Sequence, residues 1–232
     1  MPSPADVAPQ RAAATGRVPL SQERIVAAAL ELADTRGDFS MRGLGEQLGV
    51  DPMAIYRHFR DKSALLDALV DTALADLAPL PPDAGTPIER LRQLCLDFRA
   101  VLSAHPGLAP RIRAALPTVG PHVIALTEAS LGLILELGVE VDEASRAFVM
   151  VIQFITTSAE EEEQVLAEFG TEQAWRSAAG ARYASLSEDA YPSVAAMAAR
   201  LEGSSFQADF EHGLDLLLDA IVGRASLPGD TQ

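Results

Sequence analysis

One short stretch of this 232-residue chain concentrates side chains that can bind a nucleic acid. Between Phe39 and Lys62 the sequence reads F-S-M-R-G-L-G-E-Q-L-G-V-D-P-M-A-I-Y-R-H-F-R-D-K. An arginine can donate two hydrogen bonds to a guanine, small and apolar side chains can touch thymine methyls, and hydroxyl and imidazole groups can bind phosphates. The stretch therefore predicts contact with double-stranded DNA.

Helical periodicity decides which of these side chains can reach a base. At about 100° per residue, Ile55 and Phe59 fall on one side and must face a core, so Arg57 points away from it. The predicted base contacts are Arg57, Met53 and Ala54, and the side chains beside them that suit phosphates are Tyr56 and His58.

The local sequence around these residues predicts two short helices joined by a tight turn. Ser40 is placed to cap the first helix, and Gly49 to end it as a residue that tolerates positive φ. Asp51–Pro52 then combines a cap with a first-turn proline, so a second helix begins there. Such a pair inserts its second helix into the major groove, although a helical pair that only packs in a core is the alternative.

The pattern L-G-V-x-x-x-x-[I/L]-Y-x-H-F-x-x-K resembles the tetracycline-repressor (TetR) family of bacterial transcriptional regulators, with the likeness running from Leu20 to about Leu77. The segment F-E-H-G-L-D-L-L-L-D-A-I, Phe210 to Ile221, resembles the closing helix of the branch that contains the tetracycline repressor itself. The resemblance implies a repressor in which Arg42 reaches a base. It also implies phosphate contacts from Tyr56, His58, Lys62 and the backbone of Ser40.

Composition supports an all-α fold and gives no indication of an enzyme. Apolar residues make up 48% of the chain, and no long Val/Ile/Thr alternation predicts a sheet. There is no G-x-S-x-G, glycine-rich phosphate loop or paired-cysteine pattern, and the four histidines are scattered. We therefore expect no catalytic residue, no metal and no cofactor. The single cysteine, Cys95, excludes an internal disulfide and fits the reducing cytoplasm.

The net charge of −15 is unevenly distributed along the chain. Residues 1–62 hold eight basic and eight acidic residues, so the whole excess of acid lies in residues 63–232. An acidic body would be repelled by phosphates while a neutral head docks, which predicts weak binding to unmatched DNA. The alternative is that the acidic surface only keeps the protein soluble.

The chain divides into four predicted parts: a mobile arm at 1–18, a helix-turn-helix domain with its linking helix at 19–79, a ligand-binding and dimerisation domain at 80–226, and a tail at 227–232. The arm is either a plain disordered tail or a DNA contact through Arg11 and Arg17. No secretion signal is expected at the start of the chain, and the longest uncharged apolar stretch, Ala147–Ala159, has 13 residues, too few to span a bilayer.

The second domain is predicted to be a series of helices, two of which are suited to a homodimer. These are a long helix capped by Asp142 and the last helix, Phe206–Arg224, in which Gly213 would let another helix approach. Burial within one subunit is the alternative. Each base contact contributes about 1–3 kcal/mol of discrimination against the wrong base, and the few contacts of one short helix are too little. A dimer on a palindromic operator doubles the number of contacts, which favours a dimer. The other predicted helices are 88–104, 121–137, one capped by Thr171, and Pro192–Glu202.

The resemblance implies that a small molecule enters the second domain and repositions the DNA-binding domains. The helix at 61–77 is the sole expected link between the two domains of a chain, so it is expected to transmit this movement. A partner protein acting on a body without a pocket is the alternative, and a cavity between helices 88–104 and 142–164 would favour the small molecule. Glu160–Glu163 is interpreted as a solvated face or as a site for a cationic ligand or metal. The candidate pocket residues, each of which could also be ordinary core, are Phe98, Arg99, His105, Gln153, Phe154, Thr157 and Trp175.

Overall fold

The computed structural model describes residues 19–36, 38–114, 120–201 and 203–225. Over those residues the chain forms eleven α-helices and no strand, which confirms the all-α prediction. Three predictions fall outside the described residues: the arm with Arg11 and Arg17, the tail, and the end of the first helix at Gly37. The helices are α1 Gln22–Arg36, α2 Met41–Leu48, α3 Pro52–Ile55, α4 Lys62–Ala73, α5 Pro87–Ala104, α6 Leu108–Ala114, α7 Pro121–Glu136, α8 Val141–Phe169, α9 Glu172–Ala184, α10 Pro192–Leu201 and α11 Phe206–Ala225.

Helices α1 to α4 form a small head around its own apolar core. Helix α1 packs against α2 and α4, and α2 packs against α3. Side-chain caps start the last three of these helices: Ser40 accepts from the Gly43 N–H at 3.0 Å, and Asp51 and Asp61 cap α3 and α4 in the same way. The shared core of the head includes Ile25, Leu44, Ile55 and Leu65, none of which is exposed to solvent.

Helices α5 to α11 form the larger body. Helices α5, α7 and α8 pack against one another, α6 and α11 pack against α8, and α9 pairs with α10. Phe154 on α8 stacks on Phe210 of α11, with ring centroids 5.4 Å apart. A Cβ at Gly213 would lie 2.6 Å from the Phe154 ring, so this glycine serves helix packing within the subunit.

The prediction that a helix at 61–77 is the sole link between head and body is wrong in two respects. The helix is shorter, and other contacts also join the two parts. Helix α4 ends at Ala73 and not near Leu77, because the chain turns at Leu74, which is buried at the body. Two further contacts join the head to the body: His105 Nδ1 lies 2.9 Å from an Asp34 oxygen, and Arg111 donates to Asp38.

Two smaller predictions of helix ends also differ from the structure. Asp142 does not cap α8, because the capping position is Glu140 and Asp142 lies in the first turn. Its charge is still favourable there, near the positive end of the helix dipole. Helix α10 is described as far as Leu201, and Glu202 lies outside the described residues.

Candidate DNA-binding face and ligand cavity

The exposed face of α3 and the turn after it carries the predicted base contacts. Ile55 and Phe59 are buried in the head, and backbone bonds to the Ile55 carbonyl continue the helical turn to Phe59. Met53 is 65% exposed, Ala54 is half-buried, and Arg57 is exposed. This arrangement leaves a guanidinium between an apolar and a small side chain, a combination that can read base edges.

Most cations around this face already have a carboxylate partner. Arg42 Nε lies 3.1 Å from Glu46, and Lys62 Nζ lies 2.9 Å from Asp38. Arg57, in contrast, has no ion pair or hydrogen bond within the described part of the chain, so it is free to meet a base.

Three other predicted phosphate contacts surround this face. Tyr56 is 41% exposed, and His58 is half-buried, with its backbone carbonyl accepting from the Gln22 amide. Ser40 is exposed and uses its hydroxyl as the α2 cap. Ser40, Tyr56 and Lys62 line one surface pocket of the head. The other predicted DNA contacts lie in the same segment of the chain, between Arg42 and His58.

A cavity of about 180 Å³ lies in the body between α5, α7 and α8. The end of α4 and part of α6 complete its wall, and exposed Val149 and Gln153 lie where it meets the surface. Its lining consists of Leu74, Leu91, Leu94, Cys95, Phe98, Ile112, Arg113, Val123, Leu126, Thr127, Ser130, Ile134, Phe148, Val149, Val151, Ile152, Gln153 and Ile155.

The polar groups of this cavity are few, and most already have partners. Thr127 and Ser130 each donate to a carbonyl one turn earlier in α7 at 2.8 Å, so their oxygens remain available only as acceptors. Arg113 is paired with Glu160 and donates to Thr157 at 3.1 Å. Burial raises the pKa of Cys95 to about 12, which keeps this thiol neutral at physiological pH. The cavity therefore suits an uncharged, mostly apolar molecule.

The structure brings only two of the seven predicted pocket residues, Phe98 and Gln153, to this cavity. Trp175 packs against Phe206 with ring centroids 5.3 Å apart and does not line the cavity. The remaining four do not line the cavity. Arg99 pairs with Glu162, His105 pairs with Asp34, and Phe154 stacks on Phe210. Thr157 lies just behind the cavity wall, where it accepts from the lining residue Arg113.

Comparison with known proteins covers both the head and the body. The family model "Bacterial regulatory proteins, tetR family" matches residues 25–69, and "Tetracyclin repressor-like, C-terminal domain" matches residues 78–224, more than half of the chain. The chain belongs to the TetR family. Members of this family are transcriptional regulators, so the protein is a DNA-binding regulator and not an enzyme.

Curated TetR relatives align over nearly the whole chain. The HTH-type transcriptional repressor DrrR1 of Streptomyces coeruleorubidus is 27% identical over 226 residues, which cover 89% of this chain and 82% of the relative. The class A tetracycline repressor protein from transposon 1721 of Escherichia coli is 29% identical over 216 residues, covering 88% and 92%. Both are named repressors.

Solved TetR structures share the fold of the whole chain. The Streptomyces coelicolor TetR family protein ActR in complex with actinorhodin has a TM-score of 0.80 at 25% identity, covering 90% of this chain and all of that one. The S. coelicolor regulator SCO7222 has a TM-score of 0.76 at 28% identity, covering 89% and 100%.

Within this TetR body, the acidic run Glu160–Glu163 is mostly engaged in structural contacts. Glu160 and Glu162 pair with arginines of α6 and α5, and Glu163 accepts from the Gly107 N–H at 2.8 Å. The solvated-face interpretation is therefore wrong for three of the four. Among the described residues, no group of three or more His, Cys, Asp or Glu side chains is placed to hold a metal ion.

The sequence did not reveal most of the TetR cavity wall. Apolar residues on one helix face, such as Leu91, Leu94 and Cys95, have the same sequence spacing whether they pack against other side chains or line a cavity. Two polar positions in α7, Thr127 and Ser130, were the available hint, since both interrupt an apolar helix face. None of the described helices has the length and apolar character needed to cross a membrane.

Proposed function

We propose that this TetR protein is a homodimeric repressor that binds a palindromic operator through α3 and releases it when an uncharged, mostly apolar small molecule fills the body cavity. The observation that carries the proposal is the cavity between α5, α7 and α8. The body that holds it is joined to a head whose exposed Arg57 has no ion pair with any described residue. The protein acts in the cytoplasm, where the operator DNA lies.

The DNA side of the proposal assigns separate roles to the residues of the head. Arg57, Met53 and Arg42 contact bases through exposed side chains, and the small, half-buried Ala54 contacts a base beside them. The remaining set binds phosphates through a hydroxyl, an imidazole, an ammonium or a backbone group. This set is Ser40, Tyr56, His58 and Lys62.

The dimer is supported by apolar surface on α8 and α11 that one chain leaves uncovered. Met150 is 55% exposed, Leu216 is 58% exposed, and a groove between the two helices is lined by Ala147, Met150 and Leu217. Two copies of this pair would form a four-helix contact, and homodimers are typical of the family. Such a contact would hold two heads at a fixed spacing for two half-sites.

The ligand class follows from the cavity lining. Among the described lining residues there is no Asp or Glu to pair with a cation, and the one cation among them, Arg113, is already paired with Glu160. The free acceptors on Thr127 and Ser130 suit a hydroxyl or N–H on an otherwise apolar molecule. In the ActR structure, a protein of the same fold has actinorhodin bound.

The proposal is tested by operator release. DNA captured by the purified protein from a genomic library gives the operator, and its affinity is then measured by fluorescence anisotropy against a panel of uncharged apolar compounds. An active compound is expected to weaken operator binding about 100-fold, which corresponds to roughly 2.7 kcal/mol of coupling.

Thr127→Phe is the matched control, since the added ring occupies the cavity, which no residue of the DNA-binding face lines. This variant should bind the operator more weakly and respond no further to the compound. If an active compound acts equally on Thr127→Phe, the ligand does not use this cavity. If no compound shifts operator affinity or melting temperature, control by a partner protein replaces the small molecule.

A further inference from the structure

A buried carboxylate at the end of α4 is bonded to the start of α7. Asp71 is 9% exposed, and its Oδ1 accepts from the backbone N–H groups of His122 at 2.9 Å and Val123 at 3.0 Å. Its Oδ2 lies 2.8 Å from His122 Nδ1. The residue at the capping position of α7, Gly120, offers no side chain, so Asp71 caps this helix from another part of the chain. We call this contact of Asp71 with Gly120, His122 and Val123 the Asp71 joint.

The joint depends on a glycine at the capping position. A Cβ at Gly120 would overlap the Asp71 carboxylate, although the φ of −75° at Gly120 is ordinary for any residue. An alanine there would therefore displace Asp71 without straining the backbone of Gly120 itself.

Both sides of the joint also touch the cavity. Leu74, three residues after Asp71, lines the cavity at the end of α4, and Val123 and Leu126 line it from the first turns of α7. A molecule that pushes α7 outward must therefore either pull on Asp71 or break the three hydrogen bonds that this buried carboxylate accepts from His122 and Val123. The other part of α4 packs in the core of the head through Leu65 and Leu69, which are fully buried, so a movement of α4 also moves the head.

The two ion pairs described above between head and body are weaker candidates for this task. Asp38, the head partner of Arg111, is 64% exposed, and such ion pairs contribute little in water. His105 and Asp34 meet at the end of α5, and neither residue lines the cavity. Compared with these two ion pairs, the Asp71 joint combines a buried carboxylate, several hydrogen bonds and direct continuity with the cavity wall.

We propose that the Asp71 joint transmits the state of the cavity to the DNA-binding head, so that filling the cavity moves α7, Asp71 and α4 together. This inference rests on the proposed function. Breaking the joint should leave a folded protein that still binds DNA but no longer responds to what occupies the cavity.

The test is a double-mutant cycle on operator affinity. Thr127→Phe fills the cavity with a side chain, and Gly120→Ala breaks the Asp71 joint. We expect Thr127→Phe to weaken operator binding about tenfold in the wild-type background, within the usual range of coupling between sites. With Gly120→Ala present, the same change should have at most about a twofold effect. Gly132→Ala is the matched control in α7, because a Cβ there meets no neighbour, and it should leave the tenfold effect intact.

The outcomes separate this inference from the proposed function. If Thr127→Phe weakens binding tenfold with and without Gly120→Ala, the joint is overturned and the proposed function stands. If Thr127→Phe folds but leaves operator affinity unchanged in the wild-type background, the link between cavity and head fails, and the joint fails with it. Circular dichroism and melting temperature check folding, and Asp71→Ala, which removes the joint without adding atoms, repeats the cycle if Gly120→Ala does not fold.

Discussion

Lys62 carries a charge that the fold has already partnered. Its ammonium donates to Asp38, and this hydrogen bond lowers the pKa of the Asp38 carboxyl. Lys62 also lies over the Phe39 ring, 5.1 Å from its centroid. A DNA phosphate must compete with Asp38 for this cation, which weakens binding to every sequence in the same way.

Replacing Lys62 with alanine should reduce affinity for matched and unmatched DNA alike, by about fivefold, as expected for the loss of one phosphate contact. The slope of log affinity against log salt concentration should become less steep by about 0.9, because one fewer counterion is released. Fluorescence anisotropy on an operator and on a scrambled duplex, over a range of salt concentrations, measures both effects.

Lys62→Arg keeps the charge and should keep the salt slope. Asp38→Asn removes the competing carboxylate and should strengthen binding to both duplexes. If Lys62→Ala weakens binding only to the operator, Lys62 does not bind a phosphate, because a contact with the DNA backbone cannot distinguish one sequence from another.

The sequence was sufficient to predict the orientation of single residues in the head but not their partners. The spacing of Ile55 and Phe59 fixes the outward direction of Arg57, because three or four residues make one helical turn. The pairing of Lys62 with Asp38 joins residues 24 apart in the sequence, and no periodicity reports it. The same holds for the residues of the cavity wall.

At the scale of helices, Arg92 on α5 forms ion pairs with two carboxylates on α11. Its guanidinium binds Asp215 through Nε at 2.6 Å and through Nη2 at 3.3 Å, and Nη2 also donates to Glu211 at 3.1 Å. The hydrogen bonds from Arg92 lower the pKa of Asp215, and those from Gln207 and Arg92 lower the pKa of Glu211. The contact is therefore strongest while both carboxylates are ionised.

Arg92→Met should lower the melting temperature at pH 7 by on the order of 2 °C, because a partly exposed ion cluster contributes modestly. The difference from wild type should vanish as the pH falls. Carboxyls whose pKa is depressed by folding stabilise the fold above their unfolded pKa, ordinarily 3.8 for Asp and 4.5 for Glu. That stabilisation is lost as the pH drops through the folded values. Thermal melts between pH 7 and pH 3 measure this.

Arg182→Met is the control for this series, since Arg182 is exposed on α9 and has no ion pair within the described residues. It should follow the wild-type curve at every pH. A constant difference between Arg92→Met and wild type down to pH 3 would mean that Arg92 acts through packing of its aliphatic stem and not through charge.

Helix positions were largely predictable, whereas helix ends and contacts between helices were not. Caps such as Ser40, Asp51 and Thr171 define starts that the structure reproduces. The end of α4 was not predictable, because Leu77 continues the apolar spacing and only the packing of Leu74 against the body ends the helix. Glu160–Glu163 looked solvated for a related reason, since its arginine partners come from α5 and α6.

At the scale of the whole molecule, operator binding depends on two copies. Met150→Asp or Leu216→Asp would place a charge in the α8–α11 surface, and burying an unpaired charge is costly. Each variant should be monomeric by sedimentation analysis and should bind the operator at least about 100-fold more weakly, since one half-site offers only three or four base contacts of about 1–3 kcal/mol each. Both positions are exposed within one chain, so the monomer should remain folded.

Met197→Asp supplies the matched control for these charges. Met197 is 44% exposed on α10, away from the α8–α11 surface, and the change should leave both mass and operator affinity unaltered. Dimers that persist in Met150→Asp and Leu216→Asp would place the interface on another face.

The central claim is that α3 reads operator bases through Arg57, and sequencing of captured DNA tests it most directly. Wild-type protein and Arg57→Ala would each select from random duplexes, with binding to unmatched DNA measured in parallel. We expect wild type to enrich a palindrome and Arg57→Ala to lose the preference for one base pair, symmetrically in both half-sites, worth about 1–3 kcal/mol per contact. An identical enriched sequence from both proteins, or no enriched palindrome from wild type, would contradict the account.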